Sequence, residues 1–301
     1  MTTDIAVAVR QSEPDPHVLE SSPDEPLHAL KHSDDAQRLQ TIHGVGPTVW
    51  LSLPEGATRQ VTWGQPWQYR SAAYWVAITK EWQVARAVEA RPHRLAGTFA
   101  EEVVACLLGG HGITYEMNMA AFRAIRDADL IDDRVVPDAK MIAEVLKQPL
   151  TINARQVHYR FPNQKSVRIA NALRHIHASA TPGDALEARS WLMTLDGIGP
   201  KTASWIVRNF YGSDCVAIID IHIMRAAIEA HIFDPRWSPT RDYWLMESAF
   251  LQWAKIGNVS AADLDAVVWV EQATIARRGG RAANARVPGE QVQSAQPRRS
   301  Q

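Results

Sequence analysis

The chain has 301 residues, 46% of them hydrophobic and 22% charged, and its 32 Lys and Arg residues nearly balance 33 Asp and Glu residues. This length allows one large domain or two modest ones, and a net charge of −1 confines any nucleic-acid surface to part of the molecule. No apolar run approaches the roughly 20 residues that span a bilayer, and the two cysteines, Cys106 and Cys215, exclude a disulfide framework, a four-thiolate zinc site and a four-cysteine iron–sulfur cluster.

The N-terminal residues 1–35 carry eight acidic residues, two basic residues and four prolines. Such a composition cannot bury enough apolar surface to fold, so we predict a disordered acidic arm. It has no cationic stretch followed by an apolar one, so no secretory signal is predicted and we expect a cytoplasmic protein.

Residues 36–95 are predicted to form an N-terminal subdomain with a β-hairpin and a helix. The segments 48–53 and 59–63 are rich in Val, Thr and Trp and flank Pro54-Glu55-Gly56, a pattern typical of two strands around a turn.

Residues 96–276 are predicted to form a helical core, so the fold class is mostly α with a small N-terminal β-element. Capping boxes are predicted at Thr98 and Asp184, and N-caps at Asn163 and Ser260. The predicted helices are 98–109, 114–127, 137–146, 163–176, 184–195, 200–210, 221–231, 240–255 and 261–276. Residues 277–301, with six arginines against Glu290 alone and no hydrophobic period, are predicted to be a basic disordered tail.

The most informative segment is Leu195-Asp196-Gly197-Ile198-Gly199-Pro200-Lys201-Thr202-Ala203, between two predicted helices. Gly197 and Gly199 permit a tight reversal, and Pro200 suits the first position of a helix. Such a turn points unpaired backbone amides outward at a helix N-terminus, where phosphate binds. The pattern matches a helix-hairpin-helix motif, which grips the DNA backbone without reading bases. The alternative is an ordinary corner between two packed helices.

Basic residues are concentrated around this segment. Residues 151–210 hold eight of them and only three acidic residues. Beside the hairpin we expect a cationic DNA-binding face, although solvated helix faces would have the same composition.

Two charged residues near the hairpin point to catalysis. Lys201 lies in the first turn of the helix after the hairpin, where the helix dipole and shielding from water would favour a neutral, nucleophilic amine. Asp220 follows the apolar run 216–219 and is a predicted N-cap; beside a sugar, its carboxylate can stabilise an oxocarbenium-like centre. A solvated lysine and a simple helix cap remain the alternatives.

Residues from about 95 to 278 resemble the helix-hairpin-helix DNA glycosylase superfamily, and most closely its 8-oxoguanine glycosylase branch. The resemblance rests on the hairpin, on Lys201 within Gly199-Pro200-Lys201-Thr202-Ala203 and on Asp220 within Ile219-Asp220-Ile221-His222. It implies a bifunctional glycosylase and abasic-site lyase, in which the lysine forms a covalent imine and the aspartate assists base loss. It also implies that His222, with Gly197, Gly199 and Thr202 of the hairpin, contacts DNA phosphate; a buried, hydrogen-bonded His222 is the alternative.

The last predicted helix offers a base-reading pair. Asp265 and Trp269 are four residues apart and therefore share a face; a carboxylate accepts hydrogen bonds from N1–H and N2–H₂ of a guanine-type edge, and an indole stacks on the ring. The spacing resembles the pocket helix of archaeal 8-oxoguanine glycosylases and departs from the glutamine and phenylalanine of animal-type enzymes. Trp205 is a candidate second stacking wall, and by resemblance Asn118 is the candidate to fill the gap left by a flipped nucleotide. Core packing is the alternative for both tryptophans.

The sequence therefore predicts excision of an oxidised purine, 8-oxoguanine, from double-stranded DNA by a DNA-associated monomer without a redox cofactor or iron–sulfur cluster. The resemblance adds one optional ligand, a monovalent cation between hairpin carbonyls and phosphate. Two alternatives stay open: a glycosylase for another modified base, such as a hypermodified phage base, and a non-catalytic DNA-binding module.

Overall fold

The computed structural model describes residues 46–87, 93–110, 112–131 and 137–284. The predicted acidic arm and residues 285–301 of the predicted tail lie outside these ranges. Within them, no helix has both the length and the apolar character needed to span a membrane.

The described chain begins with a β-hairpin that covers one end of the hydrophobic core. Strands β1 (Thr48–Ser52) and β2 (Thr58–Thr62) are antiparallel, with Trp50 opposite Gln60, and a short 3-10 turn at Pro54–Gly56 joins them. Because side chains alternate between the two faces of a strand, Leu51 and Val61 point inward and are buried. The predicted N-terminal β-element is therefore confirmed, and a helix follows it, as predicted.

The rest of the described chain is almost wholly helical, which confirms the predicted fold class. The helices are α1 (Ala72–Ala87), α2 (Phe99–Leu108), α3 (Tyr115–Asp127), α4 (Ala139–Lys147), α5 (Pro162–Ala178), α6 (Ala185–Leu192), α7 (Pro200–Tyr211), α8 (Ile221–Glu229), α9 (Tyr243–Gly257) and α10 (Ala261–Asn284).

Side-chain caps begin several of these helices where the sequence predicts them. Thr98 and Glu101 form the predicted capping box of α2. Ser260 accepts a hydrogen bond from the backbone N–H of Asp263 at 3.3 Å, and so caps α10. Asp184 caps α6 through the N–H groups of Leu186 and Glu187.

Two of the predicted helix boundaries that differ from the structure have a clear local cause. Asn163 lies inside α5, because Pro162 occupies the first helical position and Phe161 is the N-cap. Helix α6 ends at Leu192 instead of 195; beyond it, Leu195 donates to the carbonyl of Leu192, so the chain tightens into i→i−3 turns on its way to the glycine reversal.

A second antiparallel hairpin was not predicted. Strands β3 (Leu150–Ile152) and β4 (Arg155–Val157) are joined by Asn153 and Ala154, whose φ angles are +51° and +61°. Positive φ at both positions is the requirement of a tight two-residue hairpin turn. Alanine at the second position, instead of glycine, conceals this turn in the sequence.

The last helix is longer than predicted. It continues to Asn284, so the first eight residues assigned to the disordered tail, 277–284, are helical. Extending an existing helix costs far less than starting one, and a glycine inside it costs only about 1 kcal/mol.

Two hydrophobic clusters form the core. The first includes buried residues of α2, α3, α4, α5, α6 and α7, and the second joins the β1–β2 hairpin to α1, α8, α9 and α10. The irregular segment 216–219 passes from the first cluster, through Val216, to the second, through Ala217 and Ile219. Elements of both clusters therefore meet near Asp220.

Candidate functional site

A cavity of about 700 Å³ lies between the two clusters. Its volume is in the range of pockets that enclose small organic molecules. The residues that line it include seven predicted site residues and Arg208, which was not predicted as a site residue. These eight residues are Asn118 of α3, Lys201, Trp205 and Arg208 of α7, Asp220 and His222 at the start of α8, and Asp265 and Trp269 of α10.

The glycine turn has the backbone geometry of a tight helix–helix reversal. Gly197 has φ +82°, and a Cβ atom there would overlap the side chain of Arg168. Gly199 is the extended N-cap of α7 and Pro200 is its first residue, so the amides of the first turn of α7 have no helical partners. Buried Leu195 and Ile198 anchor the turn in the first cluster. Gly197, Gly199 and Thr202 lie at this turn.

Lys201 lies in the first turn of α7 and lines the cavity. The expected shielding from water is wrong for the protein without DNA, because Lys201 is exposed. Its position leaves the amine accessible to a sugar that approaches from the hairpin side.

Asp220 is the N-cap of α8, as predicted. Its Oδ1 accepts hydrogen bonds from the N–H groups of His222 and Ile223, at 2.8 and 2.9 Å. One carboxylate oxygen thus fixes the side chain on the helix start, while the residue lines the same cavity as Lys201. A cap and a reactive carboxylate are therefore compatible roles here.

Asp265 is buried in the cavity wall and forms an ion pair with Arg208. Arg208 Nη1 donates to Asp265 Oδ2, and the two side chains are only 11% and 8% exposed. Burial raises the pKa of Asp265 to about 6; the Asp220 carboxylate also raises it, whereas Arg208 and Lys201 lower it. The Asp265 carboxyl group therefore gains or loses its proton at a pH slightly below neutrality.

Sequence reasoning missed Arg208. A usable signal was present, because Lys201, Trp205 and Arg208 are spaced by four and three residues and so share one face of α7. The face that carries the candidate nucleophile also carries the partner of Asp265.

Arg208 also belongs to a buried hydrogen-bond network that includes Asn209 and Glu102. Arg208 Nε donates to Asn209 Oδ1 at 3.0 Å, and Asn209 Nδ2 donates to Glu102 Oε1 at 2.7 Å. The other Glu102 oxygen accepts the N–H groups of Leu95 and Ala96 at 2.9 and 3.0 Å. Burial raises the pKa of Glu102 while these donors lower it. The network restricts the guanidinium to one orientation.

Two tryptophans contribute to the walls of the cavity. Trp205 belongs to α7 and packs so closely on Gly109 that a Cβ there would lie 2.9 Å from its ring. Trp269 of α10 meets the ring of His222 edge-to-face, with centroids 5.9 Å apart. Helix α7 packs in the first cluster and α10 in the second. The two indoles therefore reach the cavity from helices of different hydrophobic clusters.

His222 and Asn118 both line the cavity, and each has a buried polar atom without a partner in the described ranges. His222 is half-buried, and its Nδ1 is buried without a hydrogen-bond partner among the described residues. Asn118 is only 3% exposed, and its Oδ1 likewise has no partner in the described ranges. Asn118 lies four residues after Thr114, the N-cap of α3, and lines the cavity.

Hydrogen bonds and ion pairs within the protein reduce the number of basic side chains that are available for the predicted cationic face. Lys165 donates to the carbonyl oxygens of Leu107 and Gly109 at the end of α2, and burial lowers its pKa to about 8. Arg208 and Arg189 pair with buried carboxylates. Three of the eight basic side chains therefore serve the fold or the cavity instead of an open surface.

The fold and the cavity define a helical protein with a helix-hairpin-helix turn, an amine and two carboxylates at one pocket. A family model described as 8-oxoguanine DNA glycosylase, of helix-hairpin-helix type, matches residues 97–259. This is more than half of the chain, and the protein belongs to that family.

One curated relative matches a smaller part of the chain. A protein of Metallosphaera sedula named 8-oxoguanine DNA glycosylase/AP lyase is 36% identical over 117 residues, which cover 37% of this chain and 57% of that protein. The chain thus spans little more than half the length of this curated relative.

Similar solved structures include proteins of two organisms. The 8-oxoguanine DNA glycosylase of Methanocaldococcus jannaschii is 28% identical, over 57% of this chain and 76% of the other, with a TM-score of 0.46. Its complex with a 15mer DNA that contains 8-oxoguanine aligns at 24% identity over 64% and 88%, with a TM-score of 0.46. The Thermotoga maritima enzyme aligns at 22% identity over 65% and 95%, with a TM-score of 0.47.

Proposed function

We propose that the protein is a DNA glycosylase and abasic-site lyase that removes 8-oxoguanine from double-stranded DNA. The observation that carries the proposal is the convergence of Lys201, Asp220, Asp265 and Trp269 on one cavity. An amine, a carboxylate for the sugar, a carboxylate for the base edge and a stacking surface are the parts that this reaction needs. Family membership supports the same chemistry.

In the proposed reaction, Lys201 Nζ attacks C1′ of the flipped nucleotide. The C1′–N9 bond breaks as the C1′–Nζ bond forms, and the base leaves with a proton. Asp220 stabilises the positive charge that develops on the sugar. Nζ then loses a proton, the sugar ring opens as O4′ gains one, and an imine joins Lys201 to the DNA. Removal of a C2′ proton expels the 3′ phosphate and nicks the strand.

Asp265 and the tryptophans are proposed to bind the base. Since Arg208 occupies Asp265 Oδ2, Oδ1 is the oxygen with capacity to accept a further hydrogen bond from a guanine-type edge. Trp205 and Trp269 supply aromatic faces for stacking. The approximate pKa of 6 keeps Asp265 mostly ionised at neutral pH, as an acceptor requires.

Gly197, Gly199 and Thr202 are proposed to hold the DNA backbone, with His222 as a further phosphate contact. The free amides at the start of α7 suit a phosphate, and the turn's carbonyl oxygens are the hard ligands that a monovalent cation prefers.

The test is borohydride trapping and base release on duplexes that carry 8-oxoguanine opposite cytosine, with the wild type, Lys201→Gln and Asp220→Asn. We expect a trapped adduct with the wild type, none with Lys201→Gln, and slow base release with Asp220→Asn. Trapping on another modified base but not on 8-oxoguanine would contradict the proposed substrate. Duplex binding without base release from any lesion would show a DNA-binding module instead.

A further inference from the structure

One buried carboxylate of α9 receives hydrogen bonds from three other parts of the chain. The Glu247 side chain is 7% exposed. Arg189 of α6 donates from Nη1 to Oε1 and Oε2, at 2.9 and 2.8 Å. The Ser204 hydroxyl of α7 donates to Oε1 at 3.3 Å, and the N–H of Ala217 donates to the same oxygen at 3.0 Å. Glu247 thus links α6 and α7, the two helices of the hairpin, to the segment 216–219.

The segment 216–219 leads directly into Asp220 and depends on α9 for its position. It pairs with neither described hairpin. Both backbone groups of Ala217 bond to side chains of α9, because its N–H donates to Glu247 and its carbonyl accepts from the Tyr243 hydroxyl at 2.8 Å. Buried backbone groups require such partners, so these two side chains replace the ladder that a sheet would supply.

Helix α7 is held differently. It has its own helical hydrogen bonds, and its residues Ala203, Ile206 and Val207 are fully buried in the first cluster. Loss of the Glu247 carboxylate would therefore displace the segment before Asp220 more than the helix that carries Lys201.

We propose that Glu247 is a positioning residue that sets Asp220 against Lys201 for excision of the base. The proposal rests on the proposed function, because it requires that both side chains act on one sugar. Glu247 does not line the cavity and would touch neither base nor sugar.

This arrangement predicts a separation of the two activities. Base excision needs the amine and the carboxylate together, whereas imine formation at an abasic site that already exists needs only the amine and the sugar aldehyde. A misplaced Asp220 therefore slows excision and leaves imine formation largely intact. A general loss of folding would lower both alike.

The experiment compares Glu247→Gln and Tyr243→Phe with the wild type in the full chain. Glutamine removes the charge that pairs with Arg189 and puts an NH₂ donor where Oε2 accepts from Arg189 Nη1, so the side chain cannot keep its place between Arg189 and Ala217 as the carboxylate does. Single-turnover excision of 8-oxoguanine should fall about 10- to 100-fold in Glu247→Gln, the range for a misplaced catalytic group. Borohydride trapping on a preformed abasic site should stay near the wild-type rate, and Tyr243→Phe should show a smaller loss of the same kind.

Phe250→Leu is the matched control. Phe250 is fully buried on the same helix and contacts the second cluster, so its truncation lowers stability without removing the carboxylate. Equal losses of excision and trapping in Glu247→Gln, as expected for Phe250→Leu, would overturn the positioning role. A wild type that excises no base would overturn the proposed function and this role together, which is a distinct result.

Discussion

At the scale of single residues, burial and the ion pair with Arg208 act in opposite directions on the pKa of Asp265. Burial raises its pKa to about 6, and Arg208 limits the rise. As pH falls through that pKa, the carboxylate gains a proton and becomes a poorer acceptor for the base edge. Base excision should therefore decline on the acid side of neutrality.

Arg208→Met should move this decline to higher pH. Without the guanidinium, the pKa of Asp265 rises further. At a pH below that pKa, each additional pKa unit lowers the ionised fraction of Asp265 about tenfold. We expect the ratio of excision rates at pH 6 and pH 9 to fall relative to the wild type, measured in single turnovers. Arg174→Met, which removes an exposed guanidinium bonded to Asn171, is the control. An unchanged pH profile in Arg208→Met would show that Asp265 does not titrate in the reaction.

The residues found from the sequence were those whose roles are encoded locally. Lys201 and Asp220 stand in short motifs beside a glycine turn and an apolar run, and the structure brings both to one cavity. Glu102 lies 107 residues before its donor Asn209, and Glu247 lies 30 residues after its donor Ala217. Both carboxylates stand in ordinary helical patterns, and only tertiary packing brings the donors to them. Long-range polar networks of this kind leave no local pattern.

At the scale of secondary-structure elements, the two hairpin glycines should behave differently. Gly197 has φ +82° and no room for a Cβ beside Arg168, whereas Gly199 is extended and has open space. An L-residue in the left-handed region costs about 1–2 kcal/mol. Gly197→Ala should therefore lower the melting temperature, and Gly199→Ala should leave it unchanged.

The affinity for duplex DNA gives a second measurement on the two hairpin glycines. If DNA phosphate approaches the backbone at the turn, Gly199→Ala weakens binding although the fold is intact, because its methyl group occupies the approach. Fluorescence anisotropy with an undamaged duplex measures this effect. Wild-type affinity in Gly199→Ala would place the phosphate contact elsewhere.

Element boundaries were predictable where a side chain caps the backbone. Thr98 and Ser260 mark helix starts in the sequence and in the structure. The β3–β4 hairpin was not predictable, because Ala154 adopts a positive φ that its residue type disfavours. The end of α10 was misplaced because the arginine-rich segment after 276 has no hydrophobic period, yet it continues the helix to Asn284.

At the scale of the whole molecule, the charge is divided unevenly. The acidic arm and the basic tail offset each other in the sequence, and internal ion pairs use several cations of the hairpin region. Arg160 remains exposed, with its guanidinium 5.0 Å from the ring centroid of Phe161 and next to Gly112 at the cavity wall. No carboxylate pairs with it within the described ranges. This placement suits a phosphate contact.

Arg160→Gln should reduce the salt dependence of DNA binding. Loss of one phosphate contact lowers the slope of log K against log salt by about 0.9 and weakens binding to every sequence alike. Titrations at several salt concentrations measure the slope, with Arg174→Gln as the exposed control. A slope equal to that of the wild type would exclude Arg160 from the DNA interface.

The central claim is that Lys201 is the nucleophile, and the structure contains a rival amine. Lys165 has a pKa lowered to about 8, yet its Nζ bonds to the end of α2. Mass spectrometry of the borohydride-trapped complex, after nuclease and trypsin digestion, identifies the residue that carries the sugar. We predict the adduct on Lys201, in a peptide that spans 190–208 because the modified lysine resists cleavage. An adduct on Lys165, or on any other residue, would contradict this account.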